Sequence, residues 1–378
     1  MPNMTDEQLM ARALAAARQG DPSPNPHVGC VITFLGSDGQ PVVLETFHQA
    51  AGEQHAEVLA LEAAGPHARG ATVYVTLEPC NHHGRTPPCV DALIQAGVAR
   101  VVVGCRDPNP NVVGQGIERL RAAGIDVTVG VLEDKARDLI APWTKFITTG
   151  SSFLSLKLAL SLDGRIASRT GRSKWITGPE SRAHGHSLRA SHDAVMVGVN
   201  TVLADDPRLT VRAVPGRSPA RVVIDSKLRI PETARLVTTA REVSTCVMTT
   251  TRADAQRVAL LESFGVAVVR VPPTAEGRCD MRAVLRELAK REVVSVLCEG
   301  GAELAGTLLA DKHVERLYAF IAPLLLGPRG RPGAVDWAGP ESPADAPRLI
   351  NPEWELHGRD AFVSGRVEYP SDDPDDSP

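Results

Sequence analysis

Apolar positions recur along this chain at two different periods, and the alternation between them predicts a layered α/β protein built in two halves. Near the start, Thr5-Asp6-Glu7-Gln8 offers a helix start, and Leu9, Ala13 and Ala16 then recur close to the helical period. Val28 to Phe34 reads as a strand and His55 to Ala64 as a helix. Ala71 to Leu77 is a second strand, ending in the turn Glu78-Pro79-Cys80. Cys89 opens a helix that runs to Ala96, and Val101 to Gly104 is a third strand. The first half is expected to close near Trp143, as an α/β domain over residues 1–145.

The pattern restarts at about Ser152. Phe153 to Ala159 reads as a strand entering the turn Ser161-Leu162-Asp163-Gly164-Arg165, with Gly164 at its tightest point. Thr177-Gly178-Pro179-Glu180 reads as a capping box with Pro near the helix start, so a helix is expected to about Arg189. Ala194 to Val199 is then a strand, Thr201 to Pro207 a short helical turn, and Arg221 to Ile224 a strand. Val293 to Leu297 is a buried strand, followed by Glu299-Gly300-Gly301 opening another helix. A glycine-rich strand-to-helix turn can set backbone N–H groups against a phosphate, although many such turns carry glycine only for packing. The G-x-G-x-x-G fingerprint is missing, which argues against a Rossmann domain. This second α/β unit is expected over residues 150–369, followed by an acidic, Pro-rich and disordered tail over residues 370–378.

The chemistry concentrates in the first half. His55-Ala56-Glu57 precedes the segment EPCNHHGRTPPC, which runs from Glu78 to Cys89. One imidazole and two thiolates, His55, Cys80 and Cys89, would give zinc three protein ligands and leave its fourth tetrahedral position open for water. Zinc lowers the pKa of water held there, and Glu57, two residues beyond the first ligand, can shuttle protons without binding the metal. The arrangement resembles the His-x-Glu and Pro-Cys-x-x-Cys signature of zinc nucleobase deaminases, with one departure: eight residues, not two, separate the cysteines. A closed structural site is the rival reading, and it would need a fourth ligand such as His82 or His83. Neither the Glu at that offset nor the Pro before Cys80 has a purpose in such a staple, so catalysis is the preferred reading.

The insertion between the two cysteines resembles the deaminase half of the bifunctional riboflavin-biosynthesis deaminase/reductase family. Pro24-Asn25-Pro26-His27-Val28-Gly29, Asp107-Pro108-Asn109-Pro110 and Gly114-Gln115-Gly116 are similar to that family's pocket loops. In the second half KLALSLDGRIA, SKWITG, LRA, VGVNTVLADDPRLTVR, VIDS and EGGAELAGTLL follow the order of the family's reductase, so the resemblance runs to about Tyr369. It implies a cytidine-deaminase-like three-layer N-terminal domain and a dihydrofolate-reductase-like C-terminal domain. Zn2+ and NADPH are the implied cofactors. The implied activity is zinc-dependent hydrolytic deamination of 2,5-diamino-6-(5-phosphoribosylamino)pyrimidin-4(3H)-one, then reduction of its ribosyl group to ribityl phosphate. A monofunctional deaminase carrying an inactive or regulatory reductase-like domain is the alternative.

By the same resemblance Asn25, His48, Asp107 and Asn109 contact the pyrimidine or ribose. Ala159, Trp175, Thr201, Asp205, Ser226 and the turn Gly301, Ala302, Glu303, Leu304, Ala305, Gly306 and Thr307 would meet NADPH. Ser173, Arg189, Leu209, Arg212 and Glu299 would meet the phosphoribosyl substrate, where a guanidinium suits the phosphate. Without the family, Arg189 and Arg212 read as solvated surface residues. Asn200 stands where the family pattern has Gly before Thr201. Assembly through the reductase domain is also implied.

Composition changes this picture only by exclusion. The 41 basic and 45 acidic residues leave −4, which Asp372, Asp373, Asp375 and Asp376 account for, so neither half is a basic surface for nucleic acid. With 4% aromatic residues there is little to stack single-stranded bases. No apolar stretch approaches a membrane span, and the start MPNMTDEQLM lacks a signal-peptide pattern, so the expected compartment is the cytoplasm. Seven cysteines without scaffold spacing fit reduced thiols. Cys30, Cys105 and Cys298 are expected to pack in the core.

Overall fold

The computed structural model of the chain describes residues 4–81, 87–110, 115–329 and 333–370. Its contacts divide the chain into two compact units, Met1–Gly150 and Ser151–Pro378.

The first unit is built on strands β1 (Gly29–Leu35), β2 (Pro41–Phe47), β3 (Thr72–Leu77), β4 (Arg100–Cys105) and β5 (Asp126–Val129). They form one sheet in the order β2-β1-β3-β4-β5, in which β1 is antiparallel to both neighbours and β3, β4 and β5 are parallel. The helices are α1 (Asp6–Ala17), α2 (Ala56–Ala64), α3 (Cys89–Ala96), α4 (Gln115–Ala122), α5 (Glu133–Leu139) and α6 (Ala141–Thr149). Strand alternation sorts the core into two layers. Ile32, Val73, Val75, Val101 and Val103 pack under Ala60, Leu93 and Ile117 of α2, α3 and α4. Val31, Tyr74 and Val102 face the other way, against Met10 and Leu14 of α1 and Ala136 of α5. The result is the three-layer arrangement that the motifs implied.

Thr5 caps α1 in a full capping box, its hydroxyl accepting from the Gln8 N–H while the Gln8 amide oxygen accepts from the Thr5 N–H. β2 and α6, neither of which holds a fully buried residue, escape sequence reading. α6 continues through Lys145, which carries the first unit on to Gly150.

The second unit holds strands β6 (Phe153–Ser161), β7 (Ala194–Gly198), β8 (Ala220–Ile224), β9 (Thr245–Thr250), β10 (Ala267–Val271), β11 (Ser295–Cys298), β12 (Arg316–Ala322), β13 (Arg348–His357) and β14 (Asp360–Glu368). Their order is β10-β9-β8-β7-β11-β6-β12-β14-β13. Neighbours from β10 to β12 are parallel, and β14 and β13 add an antiparallel hairpin at one edge. The helices are α7 (Pro179–Ala190), α8 (Val199–Asp205), α9 (Arg235–Thr238), α10 (Ala255–Ser263), α11 (Met281–Ala289) and α12 (Ala302–Ala310). One face of the parallel sheet buries Leu156, Met196, Val222 and Val296 against α11 and α12. The other buries Val195, Val197, Val223 and Val247 against α8, α9 and α10. Covering both faces explains the unbroken apolar runs of these strands.

The capping box expected at Thr177 does not form. The N-cap of α7 is Gly178, which has no side chain to offer. Asp360, fully buried at the start of β14, takes that role from 182 positions away: its Oδ2 accepts from the Gly178 N–H and from Ser181 Oγ, both at 2.6 Å. Asp360→Ala is therefore expected to cost about 1–2 kcal/mol through loss of this cap, read as a lower unfolding temperature. No helix among the described residues is long and apolar enough to cross a membrane.

Candidate functional site

In the first unit, the ends of three elements bring the proposed ligands together. His55 is the N-cap of α2, Cys80 lies three residues beyond β3, and Cys89 is the first residue of α3. His55 Nδ1 lies 3.1 Å from Cys89 Sγ and 3.6 Å from Cys80 Sγ. The Cys89 backbone N–H donates to Cys80 Sγ at 3.3 Å, so the start of α3 supports a thiolate. The neighbouring Cys89 thiol, with His55, holds the Cys80 thiol down to about 4 against the opposing effect of burial. Cys89 moves the other way, pushed up by Cys80 and by burial, because a second anion would sit beside the first. A divalent cation resolves that conflict by pairing with both sulfurs, so this donor set fits zinc. His82 and His83, the alternative fourth ligands, lie outside the described residues.

Glu57 stands on the first turn of α2 and is 3% exposed. Burial, then the nearby Cys80, raises its carboxyl above the ordinary range. His48 packs edge-on against His55, with ring centres 5.2 Å apart. Its Nδ1–H donates to the Gln54 carbonyl at 3.1 Å, which leaves Nε2 to accept from Asn25 Nδ2 at 3.1 Å. The structure thus gathers Asn25, His48, His55 and Glu57 into one neighbourhood.

Asp107 and Asn109 form a local turn in which Asp107 Oδ1 accepts the Asn109 N–H at 2.8 Å. That turn is pinned by Glu78, which reads from sequence only as part of a turn before Pro79. Its carboxylate accepts the backbone N–H groups of Asp107 (3.2 Å), Gly116 (3.1 Å) and Ile117 (3.3 Å), joining the loop after β4 to the start of α4. Gly114, in the same loop motif, lies outside the described residues.

In the second unit a cleft opens where β7, β8 and β11 meet α8 and α12. Thr201, Ser226, Gly301, Glu303, Leu304 and Thr307 line it. The glycines at its mouth have separate reasons: a Cβ on Gly300 would stand 2.5 Å from the Val197 Cα, and Gly301 adopts φ +69°. Ala302, Ala305 and Gly306 are buried in the same helix, so their side-chain positions turn towards the core and leave only backbone for a ligand. Ala159, Trp175 and Asp205 are not among the lining residues. Trp175 is exposed, with the Arg182 guanidinium 4.5 Å from its ring centre, and Asp205 accepts from Ser173 Oγ at 3.4 Å.

The substrate-side candidates separate into two groups. Arg189 and Glu299 form a bidentate pair, with Nη2 to Oε2 at 2.8 Å, and Arg189 also donates to the Thr210 carbonyl at 3.1 Å. Arg189 is therefore not the solvated residue its composition suggests; 15% of its side chain is exposed. Arg212 is exposed and donates to Thr210 Oγ1 at 2.7 Å. Leu209 points into the apolar core with Val195 and Val223 at φ +54°, which leaves its backbone as the part able to meet a ligand. Sequence reading missed Lys157, whose Nζ is 3.8 Å from Glu299 Oε2. Its signal was a lone lysine inside the apolar strand β6, two residues from Ala159 and hence on the same strand face. Burial lowers its pKa against the opposing effect of Glu299.

Comparison with known proteins agrees with this geometry in both units. Residues 3–105 match the family model of the cytidine and deoxycytidylate deaminase zinc-binding region, and residues 152–363 match that of the RibD C-terminal domain. The chain is similar to the riboflavin biosynthesis protein RibD of Escherichia coli (strain K12), 44% identical over an alignment of 376 positions that covers 94% of this chain and 99% of that protein. RibD of Aquifex aeolicus (strain VF5) is 43% identical over 319 residues, 84% of this chain and 86% of that one. Among solved structures, Acinetobacter baumannii RibD superposes with a TM-score of 0.82 at 38% identity, covering 96% of this chain and 99% of that chain. The Thermotoga maritima diaminohydroxyphosphoribosylaminopyrimidine deaminase/5-amino-6-(5-phosphoribosylamino)uracil reductase gives 0.80 at 33% identity, covering 96% and 98%.

Proposed function

The chain belongs to the RibD family of bifunctional riboflavin-biosynthesis deaminase/reductases, and from that premise we propose which of its residues carry the two reactions. The observation that carries the proposal is the convergence of His55, Cys80 and Cys89 beside a buried Glu57. His55, Cys80 and Cys89 would hold zinc, which when bound supplies a Lewis acid and lowers the pKa of water in its open position. Glu57 would take up a proton on its carboxylate as water attacks and deliver it to the departing amino group of the diaminopyrimidine ribotide. Asn25 and His48, locked to each other and to the Gln54 carbonyl, orient the ring, while Glu78 holds the Asp107–Asn109 turn where it can meet the ribose.

The second reaction belongs to the cleft between α8 and α12. Thr201, Ser226 and the Gly301–Thr307 turn would hold NADPH, which when bound supplies the hydride. The free N–H groups at the start of α12 suit its phosphates. Arg189, Arg212, Glu299 and Ser173 position the phosphoribosyl group. Lys157, buried beside Glu299, is the ammonium that stands ready to protonate the ring oxygen as ribosyl opens to ribityl.

Seven free cysteines, two of them in the ligand set, support a reducing compartment, the cytoplasm. Trp354 and Leu356, 64% and 77% exposed on the edge strand β13, support self-association through the reductase unit. The test of the whole reading follows ammonia release and NADPH oxidation together, on freshly generated diaminopyrimidine ribotide. Ammonia is expected first and NADPH oxidation after it, with both lost in Cys89→Ser on this substrate. Ammonia without NADPH turnover would leave the second unit without the proposed reductase role.

A further inference from the structure

Outside both sites, two histidines and a glutamate converge where α7 meets the hairpin of β13 and β14. His184 Nδ1 of α7 and His357 Nε2 at the end of β13 lie 2.7 Å apart, and Glu355 Oε2 is 3.5 Å from His357 Nε2. All three ligand atoms fall within 4.8 Å of one another. Strand alternation explains half of this, since residues 355 and 357 project from one face of β13 while Trp354 and Leu356 occupy the other. The His184 ring is held from behind by Phe362 and Phe320, with centres 4.6 and 5.6 Å away.

The ring centres are 4.5 Å apart with planes at 81°, so the two nitrogens meet at an angle, and a cation set beside them would be within reach of both lone pairs once the proton between them is gone. The first unit's ligand set has similarly close contacts, 3.1 and 3.6 Å from His55 Nδ1 to the two sulfurs.

We propose that His184, Glu355 and His357 form a second metal site in this chain, for a borderline divalent ion of the zinc class with solvent completing its coordination. Two imidazoles and one carboxylate suit zinc, nickel, copper or cobalt far better than magnesium or calcium. The nitrogens would open to about 3.3 Å around a tetrahedral ion, and the exposed Glu355 turns inward to close the third position. The ion clamps the hairpin to α7 beside the Asp360 cap, and so steadies the helix that carries Arg189.

The test uses untagged full-length chain, stripped with chelator, re-equilibrated with Zn2+ and freed of excess ion before metal is counted per chain. Two zinc ions are expected in the wild type. One is expected in Cys80→Ser/Cys89→Ser, held at the new site, and one in His357→Gln, held at the other. Glu355→Gln, exposed and without risk to folding, is expected to weaken the new site at least about tenfold. Zinc is also expected to raise the unfolding temperature of Cys80→Ser/Cys89→Ser and not that of the same chain carrying His357→Gln. A Cys80→Ser/Cys89→Ser variant that binds no zinc would reduce the histidines to a hydrogen-bonded pair and overturn the proposal. A second zinc retained at full affinity in both Glu355→Gln and His357→Gln would place the ion elsewhere, with the same consequence. Loss of zinc from the cysteine site alone would count against the deaminase assignment and leave this one standing.

Discussion

Glu57→Gln is expected to lower the rate of ammonia release about 10²- to 10⁴-fold while leaving zinc content and thermal stability near wild type, which is the signature of a lost proton shuttle. Gln preserves the shape and most of the hydrogen bonding of Glu57 on the first turn of α2, and that position is 3% exposed, so repacking is minimal. What Gln cannot do is accept a proton from water and return it to the leaving nitrogen. Cys80→Ser makes the contrast. It removes one of the three ligand atoms that lie within 4.8 Å of each other, so metal and activity should fall together. Metal analysis beside ammonia release separates the two variants. A Glu57→Gln chain that retained more than a tenth of the wild-type rate would take the proton-shuttle role away from this residue.

The sequence was most informative where chemistry is local. His55 and Glu57 share the opening of one helix, and Cys80 and Cys89 lie nine positions apart in one segment, so their types and spacing alone announce the donor set. The parallel strands were legible for a related reason: both faces of β7, β8 and β11 are covered, and burial writes itself as an unbroken apolar run. What long-range pairing decides was not legible. Asp360 caps α7 across 182 positions, which left Thr177 looking like the cap. Arg189 lies on a helix and reads as solvated until Glu299, 110 positions on, accepts its fork. β13 shows no apolar period, because it is a sheet edge exposed along most of its length. Leu209 and Ala305 carry the right names for their motifs, yet their side chains face the core.

Glu299→Ala is expected to destabilise the second unit by about 3–5 kcal/mol and to abolish NADPH oxidation, with ammonia release within about twofold of wild type. The cost comes from what stays behind. Arg189 and Lys157 share this carboxylate, and their side chains are 15% and 20% exposed, so removing it leaves two poorly hydrated cations facing each other. The protonation of Glu299 makes the same point. Burial alone would push its carboxyl up, but the charges of Arg189 and Lys157 outweigh that and hold it at about 2. A carboxylate whose folded pKa lies below its unfolded value contributes its full stabilisation above the unfolded pKa of about 4.3, and that contribution disappears as pH falls towards 2. Acid unfolding of the wild type should therefore steepen between those values, and this part of the pH dependence should be missing from Glu299→Ala. Lys157→Met/Arg189→Met/Glu299→Leu supplies the decisive comparison, because replacing a buried charged triad with apolar side chains of similar size is close to neutral for stability. That triple variant is expected to recover most of the lost unfolding free energy while NADPH oxidation stays absent, which separates the triad's part in holding the fold from its part in the reaction.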